Sequence, residues 1–338
     1  MATFSYPSNA TLREVARVFQ GQLTMDDFLF EIMPVVDQEA DILMWEQRDD
    51  FFGLQQIRGM NGEPPKVQPI GHKMYMAQPG VYGEHSDIDE KMLTQRRRPG
   101  TFAEPISVDD LVSERQEHLL GREIDRIRQI GWTLLTTGTF SVAHPNGAVA
   151  HTDTFALGTY AGSDWSTPAT ATPLADFRAI QLLGPAQGTS FDAGAVAVMN
   201  RQTANYLLAN TNAADIGGKR TQGLANIMTL NEINMLLTGE GLPNIVVYDK
   251  GYKNDAGTFT RFIPNDKAVV VGVRPAGGPV AEYVMTRNAN NPDLGPGPYS
   301  MVEDTFDQNK PPRYIRVHRG HNGGPVIYYP GSIIIASV

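Results

Sequence analysis

Residues 46–100 hold few side chains that could build a core, and they show no helical periodicity. Phe51, Phe52, Leu54 and Ile57 precede a polar turn at Asn61-Gly62-Glu63-Pro64-Pro65; Val67, Ile70, Met74, Tyr75 and Met76 come after it. The pattern predicts a long two-stranded excursion. Two strands without a covering layer are marginal in water, so this segment must lean on something else. Phe51, Phe52, Leu54, Met74, Tyr75 and Met76 are therefore candidate interface residues, to be buried against a partner.

The chain beyond residue 100 is better equipped to build a core. Ser107 and Asp110 make a capping-box-like pair. Leu120, Ile124, Ile127, Gly131 and Leu134 then recur at helical spacing, predicting a helix from residue 108 to about 135. Glu123 with Arg126, and Asp125 with Arg128, read as pairs on its wet side. Further on, Thr172-Pro173 opens a helix that stops at Gly184-Pro185, Asn200 caps another, and Thr229 with Glu232 makes a second capping box.

Strands are expected at 195–199, 245–248, 258–263 and 268–271. The last three, joined by polar turns, predict a meander. Residues 273–313 read as loop, and three short strands close the chain at 314–318, 326–329 and 332–336. The fold class is α+β.

Little in this chain announces catalysis. It has no cysteine, which removes disulfides and thiolate chemistry. Gly217-Gly218-Lys219-Arg220 lacks the upstream glycine and the following Ser or Thr of a phosphate loop. His144 with His151 and Asp153, and His318 with His321, lack the spacing of a zinc hydrolase. No metal, cofactor or catalytic residue is assigned, and no membrane span or export signal is expected.

Charge is uneven. Residues 22–50 hold nine acids against Arg48, a local −8 that leaves −1 for the rest of a chain of net −9. That balance disfavours a general nucleic-acid binder. Arg96, Arg97 and Arg98 stand at one root of the excursion and the acidic run 37–50 leads into the other. Arginine forks clamp carboxylates well, so the two stretches are expected to pair, within one subunit or across two.

Three motifs carry a resemblance. One runs from Leu242-Pro243-Asn244 through Tyr248-Asp249 to Phe262-Ile263-Pro264-Asn265-Asp266. The second is Trp165 with Pro173-Leu174-Ala175-Asp176 after it, and the third joins Pro311-Pro312 to Gly324-Pro325-Val326 and Pro330-Gly331-Ser332. In this order the chain resembles the major capsid proteins of tailed bacteriophages, in the lambda capsid protein E branch of the Hong Kong 97 fold.

The resemblance implies an N-terminal arm (1–45), an extended loop (46–100), a peripheral domain with a spine helix (101–172), an axial α/β domain (173–295) and closing strands returning to the peripheral domain (296–338). It also implies self-assembly into pentamers and hexamers of an icosahedral shell in the virion, built in the host cytoplasm around double-stranded DNA that is not read by sequence. A separate scaffolding protein, a portal and a decoration protein are the implied partners. An encapsulin-like compartment and, in another class, a soluble hydrolase stand as alternatives, which particle size separates.

Overall fold

The computed structural model describes residues 21, 27–48, 53–58, 60, 62–67, 72–97, 106–143, 149–210, 229–254, 256–274, 277–290, 295–305 and 312–338. Phe51, Phe52, Arg98, His144 and the 217–220 stretch lie outside them.

A short helix α1 (Phe28–Ile32) and strand β1 (Val35–Asp37) come first. Strands β2 (Leu43–Arg48) and β3 (His72–Ala77) pair antiparallel and form the stem of the expected excursion. Strand β4 (Gly80–Ile88) leads to helix α2 (Glu90–Gln95), in a segment where periodicity predicts no helix. Six residues are too few to display a period; the Asp89 side chain nucleates the turn by accepting from Met92 N at 2.7 Å.

Helix α3 (Val108–Thr137) is one unbroken rod of 30 residues. Ser107 caps it by accepting from Asp110 N, and Gly138 ends it in the left-handed conformation at φ 75°. Gly131 does not interrupt it. A Cβ there would strike Met33 and Leu29, so the glycine lets α1 press against the helix. The first half of α3 buries Leu111, Val112 and Leu119, and the second buries Ile127, Ile130, Leu134 and Leu135.

Next come strands β5 (Thr139–Ala143), β6 (Val149–Thr154) and β7 (Gly158–Ala161), then helix α4 (Pro173–Leu183). Thr172 makes no side-chain cap for α4, contrary to expectation; Ser163 Oγ holds its amide instead, at 2.9 Å. Strand β8 (Val196–Met199) precedes helices α5 (Arg201–Leu208) and α6 (Leu230–Gly239). Asn200 caps α5, and Thr229 with Glu232 completes the capping box of α6.

Strands β9 (Asn244–Val247) and β12 (Lys267–Val271) flank a separate hairpin of β10 (Gly251–Lys253) and β11 (Phe259–Arg261). The expected meander does not form. In the five-stranded sheet β7-β16-β12-β8-β9, with β16 (Ile333–Ser337), strand β8 lies between β9 and β12. Alternate residues serve its two faces. Ala197, Met199 and Val270 meet α4, α5 and α6; Val198, Val269 and Ile333 meet the second half of α3.

A second five-stranded sheet gathers β1, β4, β13 (Ala281–Met285), β14 (Tyr299–Asp304) and β15 (Ile315–Ile327). So residues 273–313 contain two strands where loop is expected, and β15 is one strand where the sequence reads as two. Its glycines cause the misreading and also explain the strand. A Cβ at Gly320 would run into the Tyr82 carbonyl, and one at Gly323 into that of Val284. The closing strands go to different sheets, β15 beside β4 and β16 beside β12.

The Trp165…Asp176 motif acquires a physical basis here. Buried Asp176 accepts from Trp165 Nε1 at 2.9 Å, Ser163 Oγ at 2.6 Å, Ser163 N at 3.1 Å and Tyr160 OH at 3.1 Å. It ties the β7–α4 connection to the helix.

Candidate subunit interface

The β2–β3 hairpin has two dissimilar faces. On one, Leu43, Trp45, Tyr75 and Ala77 turn inward: Trp45 stacks on Tyr75 at 5.5 Å and meets Phe155 at 5.8 Å, while Leu43 is fully buried beside Val284 and Val326. On the other, Met44 stands opposite Met76, and Glu46 opposite Met74. Met74 is 75% exposed and Met76 69%. Beyond the stem, Leu54, Ile57 and Met60 are almost wholly exposed, and Val67 largely so.

The stem is thus anchored by one face, while its outer face and the described residues beyond it carry exposed apolar side chains among polar ones. Of the sequence candidates, Leu54, Met74 and Met76 lie on this exposed surface, whereas Tyr75 belongs to the anchoring face. Met44, Met60 and Ile57 extend the surface. Period-two alternation from Met74 through Met76 to the facing Met44 is the signal that locates Met44.

The arginines at the root are placed differently from expectation. Arg96 Nη2 donates to Glu114 on α3 at 2.8 Å, and Arg97 donates to the Thr94 carbonyl at 3.0 Å. Neither pairs with residues 37–48 in the described structure. Arg96 and Glu114 are each more than a third exposed, so this pair contributes about 0–1 kcal/mol.

Near the stem a cavity of about 710 Å³ opens between Trp45, Tyr75, His151 and Phe155. Tyr82 OH lies 2.6 Å from His151 Nδ1, and His151 Nε2 lies 2.7 Å from Asp153 Oδ2 without hydrogen-bond alignment. Behind Tyr82 is a buried ionic cluster. Glu123 engages Arg319 Nε at 2.5 Å and His321 Nδ1 at 2.9 Å, and Tyr283 OH meets His321 Nε2 at 2.9 Å. Glu123 does not take the solvated place beside Arg126 that the sequence predicts. Strand β15 covers it, and Arg126 donates to Gln129 instead. Among the described residues no group of three or more acids and histidines has metal-holding geometry, and no helix is long and apolar enough to cross a membrane.

This cluster sets a pH window. Burial alone would raise the Glu123 carboxyl, but Arg319 and His321 outweigh it and hold it below the usual range. Its stabilisation is present above the unfolded value of 4.5 and is lost as pH falls through the folded one. Burial raises the phenols of Tyr82 and Tyr283 above 10.0. They stabilise below that pH, and the benefit is lost as pH rises beyond it. Melting temperature should fall below about pH 4.5 and above about pH 10; a rise from pH 10 to 11 would contradict the assignment.

A packed core with exposed apolar side chains on a projecting hairpin suits a structural protein that assembles. The chain belongs to the phage major capsid protein E family, which matches residues 18–293. It is a phage capsid shell protein, and the family is structural, not enzymatic. A phage-related protein from Bordetella bronchiseptica RB50 shares the fold at TM-score 0.56 and 10% identity, over 96% of this chain and 95% of that one. A putative prophage capsid protein from E. coli CFT073 shares it at TM-score 0.53 and 14% identity, over 95% and 98%. No curated protein matches the chain.

Proposed function

We propose that the chain assembles with its own copies into pentamers and hexamers of an icosahedral capsid enclosing double-stranded DNA, with the hairpin laid over a neighbouring subunit. The observation that supports this most is the exposed face of Met44, Met74 and Met76, continued by Leu54, Ile57 and Met60. Apolar area of this kind gains free energy when a partner covers it, and many modest contacts add up across a shell. In this reading the hairpin is the extended loop, α3 the spine of a peripheral domain, and the β7-β16-β12-β8-β9 sheet the frame of an axial domain. That frame takes in β7 and β16 from outside the expected 173–295, so that β16 does not return to the peripheral domain. The particle forms in the host cytoplasm with a separate scaffolding protein and a portal.

Replacing Met74 and Met76 together by Glu tests the supporting observation without touching the anchoring face. Subunit stability should change by less than about 1 kcal/mol, as for other exposed positions, while the yield of megadalton particles in light scattering collapses. Undiminished particle yield would remove the outer face from the interface.

A further inference from the structure

Methionine supplies the apolar part of the hairpin's outer face. Met44 stands directly opposite Met76, and Met74 lies two residues along the same strand on the same face. These three side chains are 48%, 69% and 75% exposed, and Met60 beyond the stem is fully exposed. The core methionines are shielded: Met33 and Met199 are 0% exposed and Met285 is 1%. Away from the hairpin, Met235 and Met301 are the exposed methionines among the described residues.

The chain has no cysteine, so no thiol competes with these thioethers for a two-electron oxidant. Oxidation turns a flexible apolar side chain into a polar one, which disrupts a methionine-rich contact. On the free subunit the new oxygen points into water and leaves the fold undisturbed. Between two subunits it would have to be stripped of water with no partner built to receive it, and that opposes association.

We propose that this face is a site of reversible oxidation by hydrogen peroxide, and that the modification switches off assembly while the subunit is still free. The sulfur lone pair attacks one peroxide oxygen, the O–O bond breaks, a sulfoxide S–O bond forms and water leaves. Sulfur is oxidised and peroxide is reduced. A closed shell would cover the same sulfurs, so the sensitivity belongs to the stage before closure. The proposal rests on the reading of this face as a subunit interface.

The test treats the free full-length chain with hydrogen peroxide, removes the excess with catalase, and reads peptide masses, melting temperature and particle yield. Met44, Met60, Met74 and Met76 should gain oxygen before Met33, Met199 and Met285 do. The melting temperature should hold, while particle yield falls roughly tenfold or more. The two methionine sulfoxide reductases, one for each epimer, should restore the yield. Met235→Leu with Met301→Leu should lose assembly on oxidation as wild type does. The variant with Leu at positions 44, 60, 74 and 76 should keep whatever yield it has before treatment. Undiminished yield of the oxidised wild type, or a loss that the reductases fail to reverse, overturns the proposal. So does a loss that disappears in the Met235→Leu, Met301→Leu variant. The interface reading fails separately, through undiminished assembly of the unoxidised Met74→Glu, Met76→Glu chain.

Discussion

Replacing residues 49–71 by a two-residue Asn-Gly turn should leave a folded subunit that no longer closes into shells. The substitution spares the paired stem, including the Trp45–Tyr75 stack and the buried Leu43, and Asn-Gly suits a tight hairpin. Of the described residues it removes, Leu54, Ile57, Met60 and Val67 are each at least 72% exposed and contribute nothing to the subunit's own core. Light scattering should show small species with a melting temperature near that of wild type. A cut reaching into residues 72–75 would be a worse experiment, because it removes Tyr75 and breaks the stem. Closed particles at wild-type yield from the Asn-Gly variant would contradict the account.

Asp27→Ala should produce the largest loss of subunit stability, about 3–5 kcal/mol, as expected when one member of a buried ion pair is removed. The Asp27 side chain is fully buried and serves several groups. It accepts from Arg128 Nε at 2.6 Å, Tyr248 OH at 3.2 Å and Lys250 Nζ at 3.2 Å, and caps α1 through Leu29 N. Lys250 is about half exposed and contributes little. Arg128 is 13% exposed and keeps Asp125, so the loss falls at the low end of that range and comes from the lost Arg128 and Tyr248 contacts together with the α1 cap. Asp27→Asn, which keeps the cap but not the charge, should recover part of the loss. Denaturant unfolding measures both, and a change under about 1 kcal/mol for the Ala variant would show that Asp27 does not hold α1 to α3.

Most of the local features were legible in the sequence, the short helix α2 and the missing Thr172 cap excepted. The stripe from Leu120 to Leu134 predicts α3 to within two residues at its end, and Asn200 and Thr229 cap where their side chains suggest. Features that depend on distant segments were not legible. Glu123 looks solvated because Arg126 stands three residues away, yet its actual partners, Arg319 and His321, come from β15 nearly two hundred residues later. Strands β13 and β14 hide in a loop-like stretch because their order comes from pairing with β15. The order β9-β8-β12 likewise cannot be read from the turns between β9 and β12. At the candidate interface the exposed methionines follow from strand alternation, whereas the Arg96–Glu114 contact depends on how α3 returns past the root of the excursion.

The central claim is that the hairpin is covered by a neighbouring subunit. Cryo-electron microscopy of particles assembled from the full chain tests it most directly. The account predicts closed shells in which Met44, Met74, Met76 and the segment beyond them lie against another copy of the chain. Shells in which that face stays open to solvent, or folds back on its own subunit, would contradict it.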